Sequence, residues 1–357
     1  MANILLTGGS GFFGEIIKKR LLKLGHFVVN VDIEIDEFTA KNYIYKNVDI
    51  RNYAKLEAVY KKYNFDYVIH CAAILAHAVK DMKFLWESNV DGTRNVAELA
   101  KQYHVKKVVF TSSNCLWAKN FGRKVLETDI PDPVEIYGKS KLEGEKILME
   151  YTKDFDSIIF RCPTIIDEGR LGLLSILFEF MDEGRKVWVV GGGENRYQFI
   201  YAQDLVDAIL ASFNFEGSEI FNIGSDNVKT FKEVYDYVIK KASEDSSDSD
   251  KKNMIKKAKV ANLNKPLTLL AMKVAYFFKM SPLGPYQYKM IAEDFEFDTT
   301  KIKKLLKWKP TLTNEEMLYK SYNYYHKNIA DIRSRKNVSA HKQPAKMGVI
   351  KLLKWIS

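Results

Sequence analysis

Over residues 1–110, short runs of β-branched and aliphatic residues alternate with longer stretches whose apolar positions recur every three to four residues. Residues 4–6, 27–32, 67–71 and 108–111 read as strands, and residues 15–24 (closed by Gly25), 53–63 and 89–103 as helices. This alternation predicts a parallel sheet with right-handed crossovers, an α/β doubly wound (Rossmann) layer. A helix over 136–151 and a strand over 157–161 extend it. Beyond Arg161 the pattern loosens, and glycines at 169–172 and 191–193 punctuate it, which predicts a smaller C-terminal α/β lobe. The expected division is a Rossmann domain over 1–165 to which residues 195–225 return, a lobe mostly within 166–330, and a tail over 331–357. Residues 244–250 read as an exposed polar loop and residues 301–310 as a basic helix stopped by Pro310.

Composition narrows the class. With 46% apolar, 28% charged and 13% aromatic residues, the chain is not predominantly disordered. Cys71, Cys115 and Cys162 form no C-x-x-C pair, which argues against a disulfide scaffold and leads us to expect no metal. The net charge of +10 sits mainly in residues 332–357, which carry +7 and no acid, so nucleic acid is not an expected partner. The longest apolar stretch, residues 267–278, is broken by Lys273 and falls short of the roughly 20 residues a membrane span needs. No signal peptide is evident, so a cytoplasmic location is expected. Residues 347–356 are basic and amphipathic with Trp355 near the end. Such a segment could lie in a membrane interface, dock on a partner, or dock on the protein itself.

Candidate chemistry gathers at strand ends. Thr7-Gly8-Gly9-Ser10-Gly11-Phe12-Phe13-Gly14 joins the first strand to the first helix. Glycines at 8, 11 and 14 allow a tight turn and close approach to a pyrophosphate resting on the helix N-terminus. Asp32 ends the second strand, where an acid accepts from a ribose hydroxyl and repels a 2′-phosphate, so NAD is expected over NADP. Tyr137 and Lys141 lie one helical turn apart. A neighbouring ammonium would bring the phenol towards the range of a working base. Thr111-Ser112-Ser113 follows the fourth strand at the edge where ligands bind in open α/β sheets.

Taken with His70-Cys71-Ala72-Ala73, Asn89-Val90-Asp91-Gly92-Thr93, Arg161-Cys162-Pro163, residues 199–204 and Phe221-Asn222-Ile223-Gly224, these motifs resemble an extended short-chain dehydrogenase/reductase of the NAD-dependent epimerase/dehydratase family, from residue 2 to about residue 320. The resemblance implies that Gly8, Gly11, Phe12, Phe13 and Gly14 hold the pyrophosphate end of NAD, Asp32 the adenosine ribose, and Asp49 and Ile50 the adenine. It further implies Ala72, Ala73, Asn89, Ser112 and Pro163 along the cofactor, with Lys141 on the nicotinamide ribose and tuning Tyr137. Tyr137 would transfer the proton and Ser113 would hold the reacting oxygen, with Ser112 an open alternative. Asn114, Thr164 and Arg196 would join Ser113 at the substrate.

Two departures bear on the branch. Ser113 is followed by Asn114 and Cys115, so the acidic pair that family dehydratases use is absent. Where sugar epimerases carry an arginine two positions before the Phe-Ile pair, this chain has Tyr197, with Arg196 one residue earlier. Arg196, Lys289 or Arg170 could still pair with a diphosphate. The expectation is an NAD-dependent epimerase or dehydrogenase acting on a secondary hydroxyl, at C4 of a nucleotide- or lipid-diphosphate-linked sugar. A hydroxysteroid-like or lipid alcohol dehydrogenase and a non-catalytic NAD-binding scaffold are the alternatives. The resemblance implies a homodimer through helices 89–103 and 136–151, and peripheral membrane contact is one of the three roles open to the tail.

Overall fold

The protein is described by a computed structural model covering residues 1–75, 81–117, 119–278, 284, 290–334, 344, 350–355 and 357. Its centre is a parallel sheet built from β1 (Asn3–Thr7), β2 (Phe27–Asp32), β3 (Tyr43–Asn47), β4 (Tyr67–His70), β5 (Lys107–Ser113), β6 (Asp156–Cys162) and, from much later in the chain, a strand at Glu219–Asn222. The spatial order runs from Glu219–Asn222 through β6, β5, β4, β1 and β2 to β3. The chain reverses direction across the sheet between β1 and β4, which opens a crevice at their carboxyl ends. Val28, Val29 and Val31 are all fully buried, as strands covered on both faces require.

Helices cover the two faces. One face packs α1 (Phe12–Lys23) and a later helix, Ala202–Ser212, through Ile17, Leu21, Leu205 and Ile209. The other packs α2 (Tyr53–Lys62), α4 (Gly92–Gln102) and α5 (Ile136–Glu150) through Leu56, Val96, Leu99 and Ile147. Between β4 and α4 lie the short α3 (Met82–Trp86) and one π-turn, Glu87–Asp91. The second lobe has its own core around Phe178, Met181, Val238, Leu318 and Tyr322. Two helices there begin with a reciprocal cap, Thr230 with Glu233 and Thr313 with Glu316, which satisfies the open N–H groups of the first turn. Trp117, Tyr197, Phe231, Phe295 and Phe297 form a fourth apolar group.

Several expectations are corrected. β3 was not anticipated, because an edge strand of five residues with only Tyr43 buried has little alternation to read. The stretch 244–250 is not one loop. A helix runs to Asp245, and Asp248 caps the next one by accepting from the N–H groups of Asp250 and Lys251. The helix expected over 301–310 is Thr300–Leu306, ended by left-handed Lys307 before Pro310 is reached, with Trp308 buried and donating to the Asp204 carbonyl.

The described end of the tail lies on the protein's own lobe. Ile350 and Leu353 pack against the second-lobe core, and Lys354 pairs with Glu179 and Glu183. Arg185 and Trp188 donate to the carbonyls of Lys354 and Leu353. Lys336, Lys342, Lys346, Met347 and Ile356 lie outside the described residues, as does Lys289.

Beneath β5 and β6, Arg161 and Glu145 form a buried bidentate pair at 2.7 Å, with side chains 5% and 3% exposed. Ser112 donates to the same carboxylate at 2.5 Å, and Arg161 donates to the Glu127 carbonyl and lies 5.0 Å from the Trp117 ring. Removing one partner leaves the other charge buried and alone. Glu145→Ala is therefore expected to cost about 3–5 kcal/mol in denaturant unfolding, with much of that loss recovered when Arg161 is also replaced by Leu.

Candidate active site

At the first crossover the chain turns from β1 into α1 too tightly for side chains. Gly8 has φ +75°, and a Cβ there would lie 2.6 Å from the Ala72 nitrogen. A Cβ at Gly14 would come 2.1 Å from the Gly8 carbonyl oxygen. Gly11 caps α1 without any side-chain acceptor, so the first-turn N–H groups point into the crevice. Asn30 supports the loop from behind, accepting from Gly9 N–H at 2.9 Å and donating to Ser10, Asp36 and Tyr43. Asp36 in turn pairs with Lys18, which is 1% exposed on α1. Asn30, Asp36 and Lys18 went unread in the sequence; a lysine on the buried face of an amphipathic helix was the available signal.

Asp32 stands beside this cradle. Its carboxylate accepts from Ser10 N–H at 2.9 Å and Glu34 N–H at 3.0 Å, while burial raises its pKa from the usual carboxylate value. The cradle that a Cβ would fill, the uncapped helix start and this carboxylate together fit an adenine dinucleotide.

The opposite wall is fixed by contacts within the protein. Ile50 is buried against Gly92, and Asp49 grips Arg51 at 2.7 Å. Arg51 extends to Glu87 and over the Phe84 ring. Asn89, in the π-turn, accepts from Ile74 N–H at 2.7 Å and donates to the Ile74 carbonyl and the Ser140 hydroxyl. The side chains of Asp49 and Asn89 are thus engaged by protein partners and shape the wall that carries Ala72 and Ala73. Pro163 is buried at the end of β6, and Thr164 opens the next short strand, Thr164–Ile166.

At the carboxyl end of β5 the pleat separates two hydroxyls. Ser112 turns down to Glu145, whereas Ser113 accepts from Cys115 N–H at 3.1 Å and faces the Tyr137 phenol. Pleat direction thus turns Ser113 towards the phenol and Ser112 away from it. A Cβ at Gly138 would meet the Cys115 carbonyl at 2.2 Å, so glycine there lets α5 lie against this turn and present Tyr137. Lys141 donates to the Thr111 carbonyl at 2.8 Å and lies 4.4 Å from the Phe110 ring.

The electrostatics differ from the expectation. Burial pushes the Tyr137 phenol above its ordinary value, and nearby Cys115 and Cys162 add to this; Arg170 and Ser113 oppose it. Burial lowers Lys141 to about 8. Arg170 is thus a cation that favours the phenolate, while Lys141 donates to the Thr111 carbonyl. Burial lowers Arg170 to about 10, its Nε is sealed from water without a hydrogen-bond partner, and its guanidinium lies 5.6 Å from the Phe12 ring. It therefore spans from the glycine turn to the phenol.

Arg196 is not brought to this group. Consecutive side chains of an extended segment point oppositely. Tyr197 points inward and its hydroxyl accepts from Asn114 at 2.6 Å, so Arg196 faces outward, exposed, donating to the Val228 carbonyl at 2.5 Å.

The buried ammonium has a measurable cost. Lys141 has a folded pKa of about 8 against 10.5 in the unfolded chain, so the unfolded state holds more protons between those values and stability rises with pH there. Lys141→Met in the cofactor-free protein is expected to melt higher than the parent at pH 7. The gap should narrow between pH 8 and 10.5 in thermal unfolding followed across that range.

The chain matches the model of the NAD dependent epimerase/dehydratase family over residues 4–224. It is 32% identical over 354 residues to the uncharacterized protein y4nG of Sinorhizobium fredii, covering 98% of this chain and 85% of that one. It is 26% identical to the UDP-glucuronate 4-epimerase of Thermodesulfobacterium geofontis, covering 94% of this chain and 100% of that one. It is 30% identical to the N-acetyl-alpha-D-glucosaminyl-diphospho-ditrans,octacis-undecaprenol 4-epimerase of Escherichia coli O157:H7, covering 67% of each chain. In fold it resembles the UDP-glucose 4-epimerase of Thermotoga maritima, solved with UDP-glucose, at a TM-score of 0.73 and 23% identity over 92% of this chain and 99% of that one. With this sheet order, glycine cradle and family match, the chain belongs to the NAD-dependent epimerase/dehydratase family and is an NAD-dependent enzyme of the extended short-chain dehydrogenase/reductase type.

Proposed function

We propose that the protein is a sugar 4-epimerase that oxidises and re-reduces C4 of a sugar carried on a nucleotide or lipid diphosphate, with Tyr137 as the proton-transferring group. The observation that carries this reading is the convergence of the Ser113 hydroxyl, the Tyr137 phenol and the Arg170 guanidinium beside the glycine cradle, with Lys141 one turn along α5. Bound in the cradle, NAD supplies hydride acceptance from C4 and its return. Ser113 donates to the reacting oxygen and fixes its position. Tyr137, as phenolate, takes the hydroxyl proton and later gives it back. Lys141 and Arg170 favour the phenolate against the burial that opposes it.

The guanidinium of Arg170, beside both the Phe12 ring and the phenol, makes Arg170 rather than the outward-facing Arg196 the anion anchor of this reading. Both carriers are represented among the relatives, one named for a UDP-sugar and one for an undecaprenol-linked sugar. Asn114 and Cys115 after Ser113 supply no acid for eliminating water, so the ketone is returned as an epimer. A scaffold protein would have no need of Ser113, Tyr137 and Lys141 together. In the same reading the enzyme is a homodimer through the outer faces of α4 and α5.

Two substitutions test it. Tyr137→Phe should lower turnover of diphosphate-linked sugars about 100- to 10,000-fold while NAD affinity, read by calorimetry, stays near the parent value. Retained turnover would remove the proposed base, and stoichiometric accumulation of reduced cofactor by the parent enzyme would make it a dehydrogenase instead. Asp32→Asn should reduce the preference for NAD over NADP at least about tenfold, roughly 1.4 kcal/mol. An unchanged ratio would leave Asp32 as a cap for Ser10 and Glu34 alone.

A further inference from the structure

The second lobe contains a helix that the core does not claim. After a strand at Lys259–Leu263, Asn264 caps a helix at Lys265–Phe277, and no residue of that helix is buried. Leu267 is 67% exposed, Leu270 59%, Val274 50%, Phe277 80% and the following Phe278 64%. The first four of these are spaced three, four and three residues apart, so they form one ridge along the outward side, and Phe278 extends it. Thr268, Leu269, Met272 and Ala275 are the half-buried inward side. An apolar ridge of this length facing water marks an interaction surface.

Charge selects the occupant. Residues 251–278 hold seven lysines and no acid. Lys273, on the helix itself, is exposed and makes no ion pair among the described residues, whereas Lys265 at its start pairs with Glu293; Lys256, Lys257 and Lys259, also exposed and without ion pairs among the described residues, lie towards the far end of the strand that leads into it. A second copy docked on this ridge by two-fold symmetry would bring the same unpaired lysines towards themselves. A bilayer with anionic headgroups receives both features at once, the leucine, valine and phenylalanine side chains at the acyl boundary and the lysines at the phosphates. The tail suits that role less well, since Lys354 is paired with Glu179 and Glu183 and Leu353 is packed on the lobe.

We propose that the helix Lys265–Phe277, with Phe278 and the exposed Lys273, is an interfacial anchor that lays the second lobe on an anionic lipid surface. This surface is independent of the chemistry proposed for Tyr137.

The test is flotation of the full chain with vesicles of phosphatidylcholine alone and of phosphatidylcholine mixed with phosphatidylglycerol. The parent protein should float with the anionic vesicles, release in high salt, and bind the neutral ones weakly. A double substitution, Leu270→Glu with Phe277→Glu, should weaken that binding at least tenfold with an unchanged thermal midpoint. Phe277→Trp provides a second reading in case the double variant fails to fold: its emission should shift to shorter wavelength on anionic vesicles, beyond any shift of the parent. Absence of binding to anionic vesicles, undiminished binding by a folded double variant, or a silent Phe277→Trp would each overturn the proposal. So would a fall in oligomeric state on the double substitution, which would give the ridge to a second copy of the chain.

Discussion

Backbone meeting backbone without side chains between is the constraint from which the crevice follows. Where β1 passes into α1, Gly14 lies against the Gly8 carbonyl and Gly8 against the β4 exit at Ala72. That closeness holds the start of α1 at the sheet edge with no side-chain cap over it. A single added methyl at either glycine would push the helix off the strand ends, and the electropositive helix start would lose its aim. The same economy recurs at Gly138, which lets α5 approach the turn after β5 and so fixes the distance from phenol to serine. Two helix starts, each brought in by a missing side chain, frame one cleft.

The order of the early strands, the glycine turn, Asp32 and the pair Tyr137 and Lys141 were legible because each rests on local spacing: a period of two or 3.6, or a fixed offset along one helix. What escaped depended on long-range partners. β3 acquires its strand character from pairing with β2, and its own five residues carry too little pattern. The Lys18–Asp36–Asn30 support exists only once α1 and the segment after β2 are folded together. Arg170 was noted as a charge, but its position between Phe12 and Tyr137 comes from how the second lobe folds back. Arg196 was misplaced for the opposite reason: the sequence motif was shifted by one residue, and along an extended segment one residue means the other face.

Asn89 clamps the main chain at Ile74 to α5 through Ser140, and Asp49 orients Arg51, so both hold the wall of the cleft in place. Lys141 illustrates the energetic side. Its ammonium is buried on the Thr111 carbonyl at a cost to the fold, one turn along α5 from Tyr137.

The late strand at Glu219–Asn222 has a consequence for biogenesis. It seals the outer edge of β6, with Phe221 stacked on Phe160, yet it emerges from the ribosome more than fifty residues after β6 does. During that interval the nascent sheet presents a bare ladder of main-chain donors and acceptors flanked by aliphatic side chains, a template for wrong pairing with neighbouring polypeptides. Truncated products ending before this strand would inherit the same exposed rim, so shortened forms of the chain should call on chaperones far more than the finished one.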